Sequence, residues 1–140
     1  MRAIGLDVGE IRIGVATGDT ESHIAVPLLA LERMSLAEDL RQLGNLARER
    51  EATCFVVGMP LSMNGRMGPQ AEVIQVFIDN LRDAFPIDVV AVDERLTSVE
   101  AERLIRRSPT ARRGPRVRPR KGAIDISAAV LILQTWLDSQ

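Results

Sequence analysis

The chain has 140 residues, 46% of them apolar and 26% charged, with ten glycines, seven prolines and a formal charge of −1. That length predicts one domain with a sizeable core, and no apolar run reaches the roughly 18 residues that a membrane span needs. A single cysteine excludes a disulfide framework or thiolate metal cluster, and with no signal-peptide pattern the expected setting is cytoplasmic.

In chain order, Ala3 to Val8 and Ile11 to Thr17 are runs of β-formers around a Gly9-Glu10 turn, where glycine is expected to supply positive φ. Asp7 ends the first run among small and apolar residues. Such an acid is costly unless a cation compensates it, although a carboxylate capping its own turn is the plainer reading of an isolated Asp-x-Gly. Ile24 to Leu31 reads as a third strand, with Pro27 pointing to an edge or bulge. His23 before it has no second His or Cys nearby and reads as a polar turn residue. Ser35-x-x-Glu38 is a capping box opening a helix that ends near Glu51.

Thr53 to Met59 is the apolar run of a strand buried on both faces, in which Cys54 is a small hydrophobe rather than a nucleophile. A loop rich in chain breakers follows, and Pro69 suits the first turn of the next helix. Ile87 to Val92 is a further buried strand, ending in Asp93-Glu94-Arg95. Thr97-x-x-Glu100 starts a short helix to about Arg107. Residues 106–121 then hold eight bases and no acid, leaving ten bases against nineteen acids elsewhere. This basic, proline-containing loop, about 108–122, suits a polyanion, although many such runs are merely solvated. Ala123 to Leu137 forms a last helix apolar almost all round, with Trp136 as an anchor and Asp125 in its first turn, where the helix dipole alone favours an acid.

Three strands joined by short links make an antiparallel meander, and two strands reached through helices add in parallel. The expected fold is therefore α/β, a mixed five-stranded sheet flanked by helices. Asp7 and the Asp93-Glu94 pair then share the carboxyl edge of the sheet, within reach of Asp125. Converging acids without matching bases call for divalent cations, and oxygen ligation favours Mg²⁺ or Mn²⁺. Two such ions suit phosphodiester cleavage.

Four segments carry a family resemblance: GLDVG with RIGVA (Gly5 to Ala16), VVGMPL (Val56 to Leu61), DERLTS-x-EAE (Asp93 to Glu102) and KGAIDISAAVLIL (Lys121 to Leu133). In this order and spacing they make the chain resemble the YqgF family, described as Holliday-junction resolvases and as pre-16S rRNA nucleases, with an RNase H-like fold. The resemblance implies a single nuclease domain over 1–140 in which Asp7, Glu94 and Asp125 hold the metals. If the strand continues there, alternation sends Asp93 and Glu94 to opposite faces and only one points inward; Glu94 is taken first and Asp93 second. Arg12, Arg95, Arg112, Arg113, Arg116, Arg118, Arg120 and Lys121 are expected to contact backbone phosphates of structured RNA or branched DNA. The implied activity is 5′-end maturation of precursor 16S rRNA, with junction resolution as the alternative, by a monomer or weak homodimer.

Ile11, Ser62 and Asn64 depart from the usual family pattern, which places Lys, Asn and Asp there. Two other classes fit parts of the chain. The Gly-Leu-Asp-x-Gly hairpin also resembles the phosphate loop of actin-like and sugar-kinase ATPases, which close ATP between two such domains. A non-catalytic nucleic-acid-binding module would use the basic arm alone.

Overall fold

The computed structural model describes residues 1–62, 64–95 and 121–140, the last of these with side chains from residue 128 onward. The expected Thr97 to Arg107 helix and most of the basic loop, including Arg112, Arg113, Arg116, Arg118 and Arg120, lie outside the described residues. Five strands, β1 (Arg2–Val8), β2 (Arg12–Asp19), β3 (Ile24–Glu32), β4 (Ala52–Met59) and β5 (Asp88–Asp93), form one sheet in the order β3-β2-β1-β4-β5. The β1–β2 and β2–β3 pairs are antiparallel, whereas β1–β4 and β4–β5 are parallel. The expected meander with two parallel additions is what forms.

Period-two alternation sorts the side chains into two cores. Ile4, Leu6, Val8, Phe55, Val57 and Met59 pack on one face against helices α1 (Leu36–Glu49) and α2 (Pro69–Ala84). Ala3, Ala16, Cys54, Val56 and Val92 pack on the other against Ala129, Ile132, Leu133, Trp136 and Leu137 of α3 (Lys121–Asp138). Burial lifts the Cys54 thiol to about 11, which suits a hydrophobe and not a nucleophile. Among the described residues no helix is long and apolar enough to cross a membrane.

Local chemistry sets the element ends. Ser35 caps α1 by accepting from the Glu38 N–H at 3.2 Å, but the Glu38 carboxylate turns to Arg41 and Gln42 instead of closing the box. Pro69 opens α2 as expected. Pro27 sits on edge strand β3 at a register shift against Val15 and Ala16. His23, at φ 57, turns the chain between β2 and β3, and its Nδ1 lies 3.0 Å from the Leu137 carbonyl. A polar turn residue is thus the role it plays.

One turn differs from expectation. Among the described glycines, positive φ occurs at Gly65, not at Gly9. The β1–β2 link spans residues 9–11 and closes through Gly9 N–H donating to the Arg12 carbonyl at 2.8 Å. Gly9 is required there by space: a Cβ would stand 2.9 Å from that same oxygen.

Helix α3 lies close on the sheet because β1 offers it Ala3 and Gly5. A Cβ on Gly5 would meet the Ala129 carbonyl oxygen at 2.9 Å and the Leu133 Cβ at 2.7 Å, neither of which swings aside. Replacing Gly5 by Ala is expected to destabilise the protein by about 1–3 kcal/mol, the usual range for overpacking. Urea unfolding measures this, and an unchanged midpoint would mean that α3 does not seat on β1 so tightly.

Candidate active site

Strands β1, β4 and β5 run in parallel, so their carboxyl ends share one edge. Leu6 is level with Val57, and Gly58 with Val92. One residue beyond Leu6, Asp7 comes level with Gly58, and alternation with Ala3 and Gly5 puts it on the α3 face. Val92 occupies that face, and Glu94 follows one residue past the end of β5, where the chain turns helical. A Cβ on Gly58 would stand 2.7 Å from Glu94 Oε1 and 2.5 Å from Ile132 Cδ1. Gly58 is therefore the floor of a slot that the Glu94 carboxylate fills.

The two acids feel each other. The Glu94 carboxyl is held above its usual 4.5, first by burial, next by the charge on Asp7 and then by that on Asp93. Both Asp7 and Glu94 are half-buried, which keeps water from screening the repulsion fully.

Asp93 is engaged differently. Its Oδ2 accepts from Arg95 Nε at 2.9 Å and Nη2 at 2.5 Å, and its Oδ1 from the Arg95 backbone N–H at 3.0 Å. This bidentate pair pulls the Asp93 carboxyl below its ordinary 3.8, with the Arg95 hydrogen bonds as the main cause.

Asp125 is the fifth residue of α3, not part of its first turn, because the helix starts at Lys121. Ala129 and Leu133 lie over Gly5, while Leu133 and Leu137 lie over Gly18, the β2 partner of Ala3. The helix thus runs against β1, its start toward the carboxyl edge. Position 125 is one turn before Ala129, about 6 Å along the axis. Two strand residues from Gly5 to Asp7 advance by about the same amount. The backbone therefore brings position 125 level with Asp7. Arg12 begins β2 at the same end of the sheet, opposite Glu32, and Lys121 begins α3. Among the described residues no three His, Cys, Asp or Glu side chains gather closely enough to hold a metal, and the Asp125 side chain is not among them.

The sequence reading missed a brace beneath the Asp7 hairpin. Arg33 donates from Nη1 to the Gly9 carbonyl at 3.0 Å and from its backbone N–H to the Ile11 carbonyl at 2.8 Å. Its Nε reaches Asp39 at 3.1 Å, and its guanidinium sits 5.4 Å from the centre of the Phe77 ring. Asp39 is 5% exposed and also accepts from the Met34 N–H at 3.0 Å. No local pattern signals its contact with Arg33 and, through it, with α2.

The RuvX model, described as Holliday junction resolvase, matches residues 1–139. A relative in Thermoanaerobacter pseudethanolicus named "Putative pre-16S rRNA nuclease" is 42% identical over 140 residues, covering 100% of this chain and 98% of its own. Another of that name in Rippkaea orientalis is 45% identical, covering 99% and 96%. Among solved structures, T. thermophilus RuvC in complex with a Holliday junction substrate superposes with a TM-score of 0.63 at 12% identity, covering 99% of this chain and 94% of its own. At that identity the likeness shows the fold, which is that of the RuvC-like, RNase H-type nucleases.

The raised Glu94 carboxyl has a signed consequence. A carboxyl raised on folding leaves stability intact below its unfolded value near 4.5 and lowers it as pH rises through the folded value. Glu94→Gln is therefore expected to be more stable than the parent at about pH 7 in metal-free buffer, with the gain fading by about pH 4. In Asp7→Asn the Glu94 carboxyl is expected to titrate at lower pH by ¹³C NMR. An unchanged titration would mean that the two acids do not interact.

Proposed function

The chain belongs to the RuvX (YqgF) family of Holliday junction resolvases, and from that premise we propose that it is a metal-dependent nuclease, hydrolysing phosphodiester bonds during 5′-end maturation of precursor 16S rRNA. The observation that carries the reading is the pair of carboxylates, Asp7 and Glu94, facing each other over Gly58 at the carboxyl edge of the sheet. Repelling, half-buried acids are an all-oxygen donor set, and the chemistry fits Mg²⁺ or Mn²⁺. Asp125 is the third acid of the proposed set, supported by its backbone level on α3.

Divalent ions bound there would supply the positive charge that offsets charge developing on the scissile phosphate. The rest is the work of the chain. Asp7 on β1 and Glu94 just past the end of β5 would hold the ions at the edge of one sheet, so little reorganisation would be needed when substrate arrives. Proton and metal compete for Glu94, so its raised carboxyl implies activity that falls in mild acid. Arg12 and the basic residues Arg112, Arg113, Arg116, Arg118, Arg120 and Lys121 would hold backbone phosphates, giving salt-dependent affinity with little reading of bases, whereas the Arg95 guanidinium is held by Asp93. With three Phe, one Trp and no Tyr in the chain, recognition by shape is favoured over stacking. In this reading residues 1–140 act as one domain in the cytoplasm.

The family description favours a second substrate, the four-way DNA junction. Two symmetric cuts would require a dimer with paired sites, whereas a processing nuclease can act as a monomer.

One assay tests both. Purified protein with Mg²⁺ or Mn²⁺ is offered labelled precursor rRNA, a four-way junction and plain duplex side by side. Cleavage of the precursor at its 5′ end is expected, and paired nicks in the junction alone would reverse the preference. Asp7→Asn and Asp125→Asn are expected to lower kcat by about 10²-fold or more, as loss of preorganised transition-state charge does. Full activity in Asp125→Asn would remove that residue from the site.

A further inference from the structure

The loop after β4 closes on itself beside the carboxylates. Ser62 donates from its backbone N–H and from Oγ to the Arg66 carbonyl, each at 3.0 Å. Gly65 N–H donates to the Ser62 carbonyl at 2.8 Å, and Arg66 N–H to Asn64 Oδ1 at 3.2 Å. The Ser62 hydroxyl also donates to Asn64 Oδ1. The residues that depart from the family pattern, Ser62 and Asn64, are thus the ones that tie this turn.

Gly65 has φ +82, a left-handed conformation that favours glycine. A Cβ there would stand 3.4, 3.6 and 3.8 Å from Nη1, Nη2 and Cζ of Arg95. The Nη end of the Arg95 guanidinium therefore lies in van der Waals reach of the turn at Gly65. Asp93 grips the same guanidinium through Nε and Nη2. Asp93 and Arg95 therefore bracket Glu94 in sequence yet serve the loop, while Glu94 serves the slot over Gly58.

We infer that Asp93 and Arg95 are a positioning pair: Asp93 orients Arg95, Arg95 seats the turn of residues 62–66, and the seated turn carries exposed Arg66 as a contact for backbone phosphates of the strand entering the Asp7–Glu94 site. The inference rests on the nuclease reading for its substrate, but the seating of the turn stands on the geometry alone. A fork with two parallel hydrogen bonds fixes a guanidinium in direction as well as in place, which a lysine cannot reproduce. A turn packed against the Nη end of that guanidinium needs it held in this way.

Three measurements on the full chain test it. Amide exchange of residues 64–66 in the free protein is expected to rise about tenfold in Asp93→Asn and in Arg95→Lys, with β1 and β4 amides unchanged. Calorimetric titration with Mn²⁺ is expected to give Asp93→Asn an affinity within about twofold of the parent, whereas Glu94→Gln loses about tenfold or more. In cleavage of whichever labelled substrate the parent cuts, Asp93→Asn and Arg66→Ala are expected to raise KM about 5–10-fold with kcat nearly kept. Arg66→Ala should also reduce the slope of log affinity against log salt by about one phosphate contact. Loss of Mn²⁺ binding and of kcat in Asp93→Asn, matching Glu94→Gln, would make Asp93 a ligand and overturn the proposal, as would unchanged exchange in the turn. Should the parent cleave nothing, the nuclease reading fails, and the exchange and Mn²⁺ arms still decide the pair's role.

Discussion

Two like charges held together by backbone register are the constraint from which this molecule is understood. Asp7 and Glu94 lie far apart in the chain, and burial together with the charge on Asp7 lifts the Glu94 carboxyl above its ordinary value. Nothing in the local sequence of either residue favours that approach. It is imposed by the parallel pairing of β1, β4 and β5, which sets Asp7 beside Gly58 and Glu94 over it. The hydrophobic packing of two cores supplies the free energy against which a repulsive pair can be kept.

The same economy explains the small residues of β1 and β4. Gly5 lets α3 approach the sheet, and Gly58 leaves room for the Glu94 carboxylate. Larger side chains would stabilise strands in isolation, since glycine weakens them. Here each glycine gives up strand stability for the close approach of a different partner, a helix in one case and an acid in the other. Around the hairpin, the Arg33–Asp39 pair stacked on Phe77 makes the opposite choice, using a buried charge pair to hold the Gly9 and Ile11 carbonyls in place. A buried ion pair adds little net stability, and its attested use is to specify one arrangement.

The sheet order was legible in the sequence because each part leaves a periodic trace: two alternating runs at a short link, and apolar strands punctuated by helices. Alternation could not separate Glu94 from Asp93, because β5 stops at Asp93 and Glu94 lies beyond it; the two side chains meet different neighbours. What failed was turn chemistry and long-range polar contact. Gly9 was assigned a positive φ because glycine in a hairpin usually needs one; its constraint is a nearby carbonyl oxygen. Asp125 was placed in a first turn because the apolar pattern begins at Ala123, whereas α3 begins two residues earlier at Lys121. Arg33 and Asp39 join β3 to α1, and Phe77 comes from α2, a combination with no signature in any window of the chain.

Residues 93–95 show how three neighbouring side chains come to do two jobs. Strand alternation ends at Asp93, where β5 stops. Up to that point each side chain has an assigned face, and beyond it the chain is free to redirect them. Asp93 and Arg95 close on each other through a short loop of hydrogen bonds, which spends the charge of both locally. Had Asp93 stayed unpaired, its charge would have raised Glu94 further and competed for any cation at the edge. Asp7 is the stronger electrostatic neighbour of Glu94, and Asp93 the weaker. The arginine thus joins Asp93 to the neighbouring turn, its Nη end lying against Gly65, while Glu94 turns to Gly58.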